Sequence, residues 1–192
     1  MDATDLERRL AQHEPGDGDH DPTFRQAAVA ALLRPAAGGP EVLLMRRAVT
    51  PTDRWSGHIA LPGGGYEEID DDPWATAIRE THEEVGVDLV SDARRLCRLE
   101  RVDASARGQP VGLQVTPFTF LETRRTEPKL GPEASEAFWF PLSAAAAGDL
   151  DHRHRAEVRG QMLLLPAWRT QGRVVWGLTH RILSGLIDVL AI

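Results

Sequence analysis

The sequence lacks the features that mark several broad classes of protein. Its 192 residues include one cysteine, Cys97, so no disulfide can form within the chain, which suits a reducing cytosol. No apolar run approaches the roughly 18 residues of a membrane-spanning helix, and the charged N-terminus is unlike a secretory signal. Acidic residues outnumber basic ones by 29 to 22, and a net charge of −7 argues against a nucleic-acid surface. We therefore expect a cytoplasmic protein with neither membrane nor nucleic acid among its partners.

What remains is the composition of an ordinary globular domain. Hydrophobic residues make up 42% and charged residues 27% of the chain, and its length suits one domain with a sizeable core. Residues 1–22 are polar and end in a Gly- and Asp-rich stretch, which predicts a tail or short helix followed by a loop. We expect the domain itself to occupy residues 23–192.

Hydrophobic periodicity predicts a mixed α/β architecture. Two apolar runs, 27–34 and 41–46, flank a Pro- and Gly-rich turn and favour a β-hairpin. Apolar residues at helical spacing over 178–190 predict a terminal helix. Further strands are expected at 58–61, 95–103, 111–121, 137–140, 157–166 and 173–176. Because these elements show no regular βαβ rhythm, a mixed sheet is favoured.

A central helix over residues 73–85 has clear signals at both ends. Asp72 is a good N-cap and Pro73 suits the first helical position. Gly86 can adopt the left-handed conformation that ends a helix. The helix follows the glycine run Gly63-Gly64-Gly65, whose backbone can approach a metal or phosphate without side-chain obstruction.

Three glutamates of this helix point in similar directions. At 3.6 residues per turn, Glu80, Glu83 and Glu84 fall within about 100° of the helix circumference. Their mutual repulsion, a few tenths of a kcal/mol per exposed pair, is best tolerated if a positive group lies among them. Carboxylate oxygens suit Mg²⁺, Mn²⁺ or Ca²⁺ rather than zinc. The pattern predicts a site for a hard divalent cation.

The alternative is a solvated amphipathic helix whose charges pair along its surface. Arg79 and Glu83 are four residues apart and can form such a pair, worth a few tenths of a kcal/mol. This alternative leaves Glu80 and Glu84 repelling each other and does not account for the glycine run.

The stretch from Gly65 to Val87 resembles the signature box of the Nudix hydrolases. Aligned on the arginine, the box positions are Gly65, Asp71, Arg79, Glu80, Glu83, Glu84, Gly86 and Val87. Asp71 stands where glutamate is usual, and Thr81 replaces an aliphatic residue. The resemblance implies an α/β/α sandwich in which the box helix packs on a mixed β-sheet.

The same resemblance implies a pyrophosphohydrolase that uses Mg²⁺ or Mn²⁺. Glu80, Glu83 and Glu84 match the metal-binding glutamates of the family. Glu80, Glu84 and Arg79 are the catalytic candidates, with Glu80 as the first choice of general base. Arg79 matches an arginine that holds the box together by ion pairing, an orienting role. A small-molecule nucleotide is the implied substrate, and a homodimer is left open.

The flanks resemble the coenzyme A pyrophosphatase branch of that family. Arg47 and Gly57 fit its upstream signature, whereas Arg54 lies one place closer to the glycine than expected and Leu61 stands in place of Phe. Coenzyme A or an acyl derivative is therefore the first substrate, cleaved to 3′,5′-ADP and 4′-phosphopantetheine. The alternatives are ADP-ribose, dinucleotides or (d)NTPs, and a catalytically silent nucleotide-binding sensor.

Substrate contacts are expected from basic and glycine residues before the box. Guanidinium groups match phosphate oxygens, and a glycine turn admits them. The candidates are Arg46, Arg47, Arg54, Gly63 and Gly64. Glu133, on a separate loop, is a candidate for an extra metal-binding or basic carboxylate.

Overall fold

The computed structural model describes residues 1–16, 21–51, 53 and 55–192. The described residues form the helices α1 (Ala3–Ala11), α2 (Pro73–Val85), α3 (Leu89–Asp92), α4 (Leu142–Ala146) and α5 (Gly177–Leu190). Their strands are β1 (Arg25–Arg34), β2 (Glu41–Arg47), β3 (Ile59–Ala60), β4 (Gly63–Gly65), β5 (Ala93–Arg98), β6 (Val102–Ala106), β7 (Gln109–Glu122), β8 (Ala134–Pro141), β9 (Asp151–Val158), β10 (Gln161–Thr170) and β11 (Arg173–Trp176). None of these helices is long and apolar enough to cross a membrane.

The main sheet has eight strands and is mixed. Its central path runs β3-β2-β1-β7-β5, and β4, β6 and β8 pair with β1, β7 and β2 respectively. β1 and β7 are parallel, whereas β1 and β2 form the antiparallel hairpin that the sequence predicts. A second, antiparallel sheet has the order β11-β10-β9. The mixed sheet expected from the sequence is confirmed.

Helices cover both faces of the main sheet. Leu32 and Leu33 are adjacent on β1, so their side chains point to opposite faces of the sheet. Both are fully buried, which shows that both faces are covered. Leu32 belongs to the cluster that includes Ala77 of α2. Leu33 belongs to the cluster that includes Leu6 of α1 and Leu183 of α5. The expected α/β/α sandwich is confirmed, and α1 contributes to its core.

Two strand predictions are wrong in the same way. The expected strand 157–166 is two strands, because Arg159 and Gly160 have φ of 51° and 78° and form a two-residue turn between β9 and β10. Positive φ at both central residues is the favoured hairpin geometry. The expected strand 95–103 is likewise divided between β5 and β6. In contrast, the predicted box helix and terminal helix are confirmed.

Candidate active site

Helix α2 and the glycine strand β4 form the framework of the site. The Asp72 side chain accepts a hydrogen bond from the Ala75 N–H at 2.8 Å and caps the start of α2. Gly86, at φ 64°, ends the helix in the predicted left-handed conformation. β4 pairs antiparallel with β1, whose residues Ala28 and Leu32 pack in one buried cluster with Ala77 of α2. The helix therefore presents one line of side chains to the glycine backbone.

Glu84 is the most deeply buried of the three glutamates. Its residue is 2% exposed, and its Oε2 accepts a hydrogen bond from the Gly63 N–H at 2.8 Å. Its Oε1 has no hydrogen-bond partner among the described residues, and the nearest cation is Arg47 Nη1, 3.7 Å away. That distance makes an ion pair but is too long for a hydrogen bond. A buried carboxyl oxygen without a hydrogen bond is costly, and a cation beside it would offset that cost.

Burial also sets the protonation of these acids. It raises the pKa of Glu84 to about 8, against the opposing effects of the Gly63 N–H and Arg47. Burial likewise raises the pKa of Glu80, while Arg79 lowers it. The charge of Glu133 raises the pKa of both residues, so this carboxylate, from the loop between β7 and β8, acts on the same site.

Arg79 is the positive group beside Glu80 and Glu83, as the mutual repulsion of the glutamates predicted. Its Nη1 donates to Glu80 Oε1 at 2.9 Å and to Glu83 Oε2 at 3.3 Å. Its Nε and Nη2 donate to the two carboxylate oxygens of Asp70 at 2.9 and 3.0 Å. Nη2 also reaches the Gly65 carbonyl at 3.2 Å. One guanidinium therefore joins the glycine strand, the loop after it and the helix.

The acid that holds Arg79 is Asp70 and not the neighbouring Asp71. Asp70 is 5% exposed, and its hydrogen bonds with Arg79 lower its pKa to about 2. Asp71, which the box alignment places at the usual glutamate, is exposed. Asp70 also accepts the Thr76 hydroxyl at 2.9 Å. Sequence reasoning did not assign this role, and three consecutive acids before Pro73 were its only signal.

The predicted arginines separate onto two faces of the sheet. Arg47 faces α2, where its Nε donates to Asp53 at 2.8 Å and its Nη1 approaches Glu84. Asp53 is a further partner that the sequence pattern did not single out. Arg46 leaves the opposite face and donates to Glu136 at 3.2 Å. The structure therefore brings Arg47, but not Arg46, to the glutamates. The predicted Arg54 lies outside the described residues.

The described residues do not form a closed set of metal ligands. No group of three or more Asp, Glu, His or Cys side chains among them converges tightly enough to hold an ion. Glu83 is 57% exposed and bonds Arg79 rather than joining Glu84. The donor chemistry nevertheless fits a hard cation, because the charge of Glu133 raises the pKa of both Glu80 and Glu84, and Glu84 Oε1 lacks a hydrogen bond. These residues fit the hard divalent cation that the glutamate pattern predicts.

Two adjacent glycines are required for different reasons, and this leads to a prediction. At Gly63, φ is 148° and an added Cβ would lie 2.2 Å from the Ala28 carbonyl oxygen, so Gly63→Ala should unfold the protein at lower denaturant. At Gly64, the three atoms nearest to the added Cβ all belong to the Glu80 carboxylate, the closest at 2.5 Å. Gly64→Ala should therefore keep the fold but displace Glu80 and lower turnover. Urea unfolding and turnover are measured on both variants. The prediction is contradicted if Gly64→Ala is destabilised as much as Gly63→Ala, or if Gly64→Ala keeps wild-type turnover.

The burial of Glu84 predicts an unusual pH dependence of stability. A carboxyl group whose pKa rises on folding, here from 4.5 to about 8, stabilises the fold at low pH and loses that contribution as pH rises. The metal-free protein should therefore lose a few kcal/mol of unfolding free energy between these pH values. Glu84→Gln should remove the dependence. Urea titrations in a chelator, comparing the two proteins, would contradict this if their pH profiles were parallel.

The comparisons with known proteins identify the family. The NUDIX domain family model matches residues 24–160, so the chain belongs to the Nudix family and is a Nudix pyrophosphohydrolase. Proteins of this family act on small-molecule nucleotides and generally use divalent metals such as Mg²⁺ or Mn²⁺. The Nudix hydrolase NudL of Cronobacter sakazakii is 32% identical over 174 residues, covering 85% of this chain and 81% of that protein.

Two further similarities extend the comparison. Protein C14C4.10c of Schizosaccharomyces pombe is 41% identical over 114 residues, which cover 57% of this chain and only 34% of that longer protein. Among solved structures, a binary complex of an Ap4A hydrolase from C. elegans has a TM-score of 0.53 and 26% identity, covering 64% of this chain and 84% of that one. The fold is therefore shared with enzymes of known structure.

Proposed function

We propose that this protein hydrolyses the diphosphate linkage of a nucleoside diphosphate derivative, with coenzyme A or acyl-CoA as its substrate. The products would be 3′,5′-ADP and 4′-phosphopantetheine or its acyl form. The observation that carries the reaction is the buried Glu84, whose Oε2 is held by the glycine strand while its Oε1 has no hydrogen-bond partner among the described residues. The choice of coenzyme A rests on the resemblance around Arg47 and Gly57. With one cysteine and no disulfide, the protein would act in the cytoplasm.

In this proposal Glu80, Glu83 and Glu84 hold Mg²⁺ or Mn²⁺. A bound divalent cation would neutralise phosphate oxygens and lower the pKa of a bound water. Glu80 is the first choice of general base, since it is less buried than Glu84 and its carboxylate lies against Gly64 of the glycine strand. Glu133, on a neighbouring loop, is an additional acid for metal or proton. Arg79 orients Glu80 and Glu83 and does not contact phosphate.

We assign phosphate contact first to Arg47. Its guanidinium is held by Asp53 on the face that carries the glutamates, so it needs little rearrangement to meet an anionic group. Arg46 is a weaker candidate, because it pairs with Glu136 on the other face. Arg54 stays in the proposal on the resemblance alone. The backbone of Gly63 and Gly64 completes the predicted substrate-binding set.

The alternatives to coenzyme A hydrolysis are a different nucleotide substrate and a nucleotide sensor without catalytic activity. Similarity to the C. elegans Ap4A hydrolase favours a dinucleotide as the alternative substrate, with ADP-ribose and (d)NTPs as further candidates. A silent sensor would bind a nucleotide without cleaving it. Retention of Glu80, Glu83 and Glu84 argues against that role, because a pure sensor does not need all three acids.

A substrate panel tests the proposal directly. Purified protein with Mg²⁺ or Mn²⁺ is incubated with coenzyme A, ADP-ribose, NADH, Ap4A and dNTPs, and products are identified by mass. We expect coenzyme A to yield 3′,5′-ADP and 4′-phosphopantetheine. Rapid loss of ADP-ribose or Ap4A with coenzyme A untouched would reverse the substrate choice, and binding without cleavage would indicate the sensor. A parallel sample of Glu84→Gln controls for contaminating hydrolases.

A further inference from the structure

The outer half of strand β10 has a neighbour on only one side. β10 pairs with β9 from Gln161 to Trp168, but β11 reaches only Ala167 to Thr170. Residues 161–166 therefore form a free strand edge in the described part of the chain. This edge lies in the second sheet, on a different element from the catalytic acids of α2.

The free edge is apolar and exposed. Met162, Leu163 and Leu164 are 57%, 40% and 60% exposed, and they are consecutive. The segment Gln161-Met162-Leu163-Leu164-Leu165 carries no charge. Natural edge strands are normally guarded against pairing by charges, bulges or proline. Here the first such residue is Pro166, so the edge is unguarded over five residues.

The hydrogen-bonding groups of this edge follow from the hairpin register. Val158 and Gln161 flank the two-residue turn and form the closing, hydrogen-bonded pair. Bonded and non-bonded pairs alternate along an antiparallel ladder, so Ala156 and Leu163 form the next bonded pair. The intervening Met162 and Leu164 consequently direct their N–H and C=O groups away from β9. The N–H and C=O groups of Met162 and of Leu164 are thus available for hydrogen bonds on the free edge.

We propose that this edge is the homodimer surface, where a second copy of the chain adds its own β10 antiparallel about a two-fold axis at Leu163. Under that axis, Met162 faces Leu164 of the second copy and each pair exchanges two hydrogen bonds. The spacing of the outward groups makes the edge complementary to itself. An uncharged segment also meets its own copy without like-charge repulsion.

The charged residues that flank this edge lie on β9 and place no like charges opposite each other in the same register. Glu157 is the β9 partner of Met162, and Arg155 is the β9 partner of Leu164. Across the proposed four-stranded sheet, each row therefore has Glu157 at one end and Arg155 of the second copy at the other. These charges lie three strand spacings apart, roughly 14 Å, and are largely screened, so the antiparallel register rests on the outward hydrogen-bonding groups.

Sedimentation velocity over micromolar to hundreds of micromolar concentrations tests the proposal. We expect the wild-type protein to reach twice the chain mass and Leu164→Lys to remain monomeric at every concentration. The matched control is Val90→Lys, which introduces the same charge at an exposed aliphatic residue of α3 (72% exposed, against 60% for Leu164). This variant should still dimerise. A wild-type monomer throughout, or a dimer that Leu164→Lys leaves intact, would overturn the proposal.

The register itself is tested by a compensating double substitution. Met162→Lys alone should prevent dimerisation. Met162→Lys combined with Leu164→Glu places the new ammonium group of each chain opposite the new carboxylate of the second copy and should restore the dimer. Restoration should weaken at high salt, because these pairs are exposed. Far-ultraviolet circular dichroism checks that each variant is folded, and a folded double variant that stays monomeric would contradict pairing about Leu163.

Discussion

Glu84→Gln should lower turnover of the metal-loaded enzyme by roughly 10²–10⁴-fold, the range for a lost catalytic group. The amide keeps the shape of the side chain and can still accept the Gly63 N–H through its oxygen. It removes the negative charge from the position where Oε1 lacks a hydrogen bond. The effect should therefore appear in kcat and in the affinity for Mn²⁺, without loss of the fold.

The control for this prediction is Glu68→Gln, the same substitution at an exposed acid of the loop before α2. Its turnover should stay close to that of the wild type. Metal affinity, measured by calorimetry with Mn²⁺, separates a lost ligand from a lost base. Wild-type turnover in a folded Glu84→Gln variant would contradict the role assigned to Glu84.

Arg79→Met should produce the largest loss of stability, about 3–5 kcal/mol of unfolding free energy. Methionine fills much of the same space but leaves the Asp70 carboxylate, 3% exposed, without its main partner. An uncompensated buried charge is far more costly than a broken surface pair. The loop between β4 and α2 would also lose its connection to Glu80 and Glu83.

Arg8→Met is the matched control, because Arg8 pairs with Asp5 at 3.4 Å on the exposed side of α1. That change should cost less than about 1 kcal/mol. Urea unfolding of the two variants and the wild type gives the comparison. Equal losses in both variants would show that Arg79 is not a buried anchor.

The sequence was most informative where local chemistry decides the structure. The ends of α2 depend on Asp72, Pro73 and Gly86, whose conformational preferences act within one turn of the helix. The shared direction of Glu80 and Glu84 follows from helix geometry alone. The glycine run could be recognised for the same reason, since it is a property of the backbone.

Predictions failed or stayed open where long-range contacts decide. Asp70 and Asp71 are equivalent in composition, and only the fold shows that Asp70 is buried against Arg79. Similarly, alternation along β2 implies that Arg46 and Arg47 point apart, but the position of α2 decides which one meets Glu84. The turn between β9 and β10 was missed because an arginine occupies its first left-handed position.

The different surroundings of Gly63 and Gly64 determine which property of the protein a substitution at each position would damage. Replacements of Gly63 collide with backbone, so they should reduce the amount of protein that survives in the cell. An added Cβ at Gly64 first meets the end of the Glu80 side chain, so Gly64→Ala should leave abundance intact while silencing the enzyme. Two neighbouring glycines should thus be under separate selection, Gly63 for the stability of the protein and Gly64 for its activity.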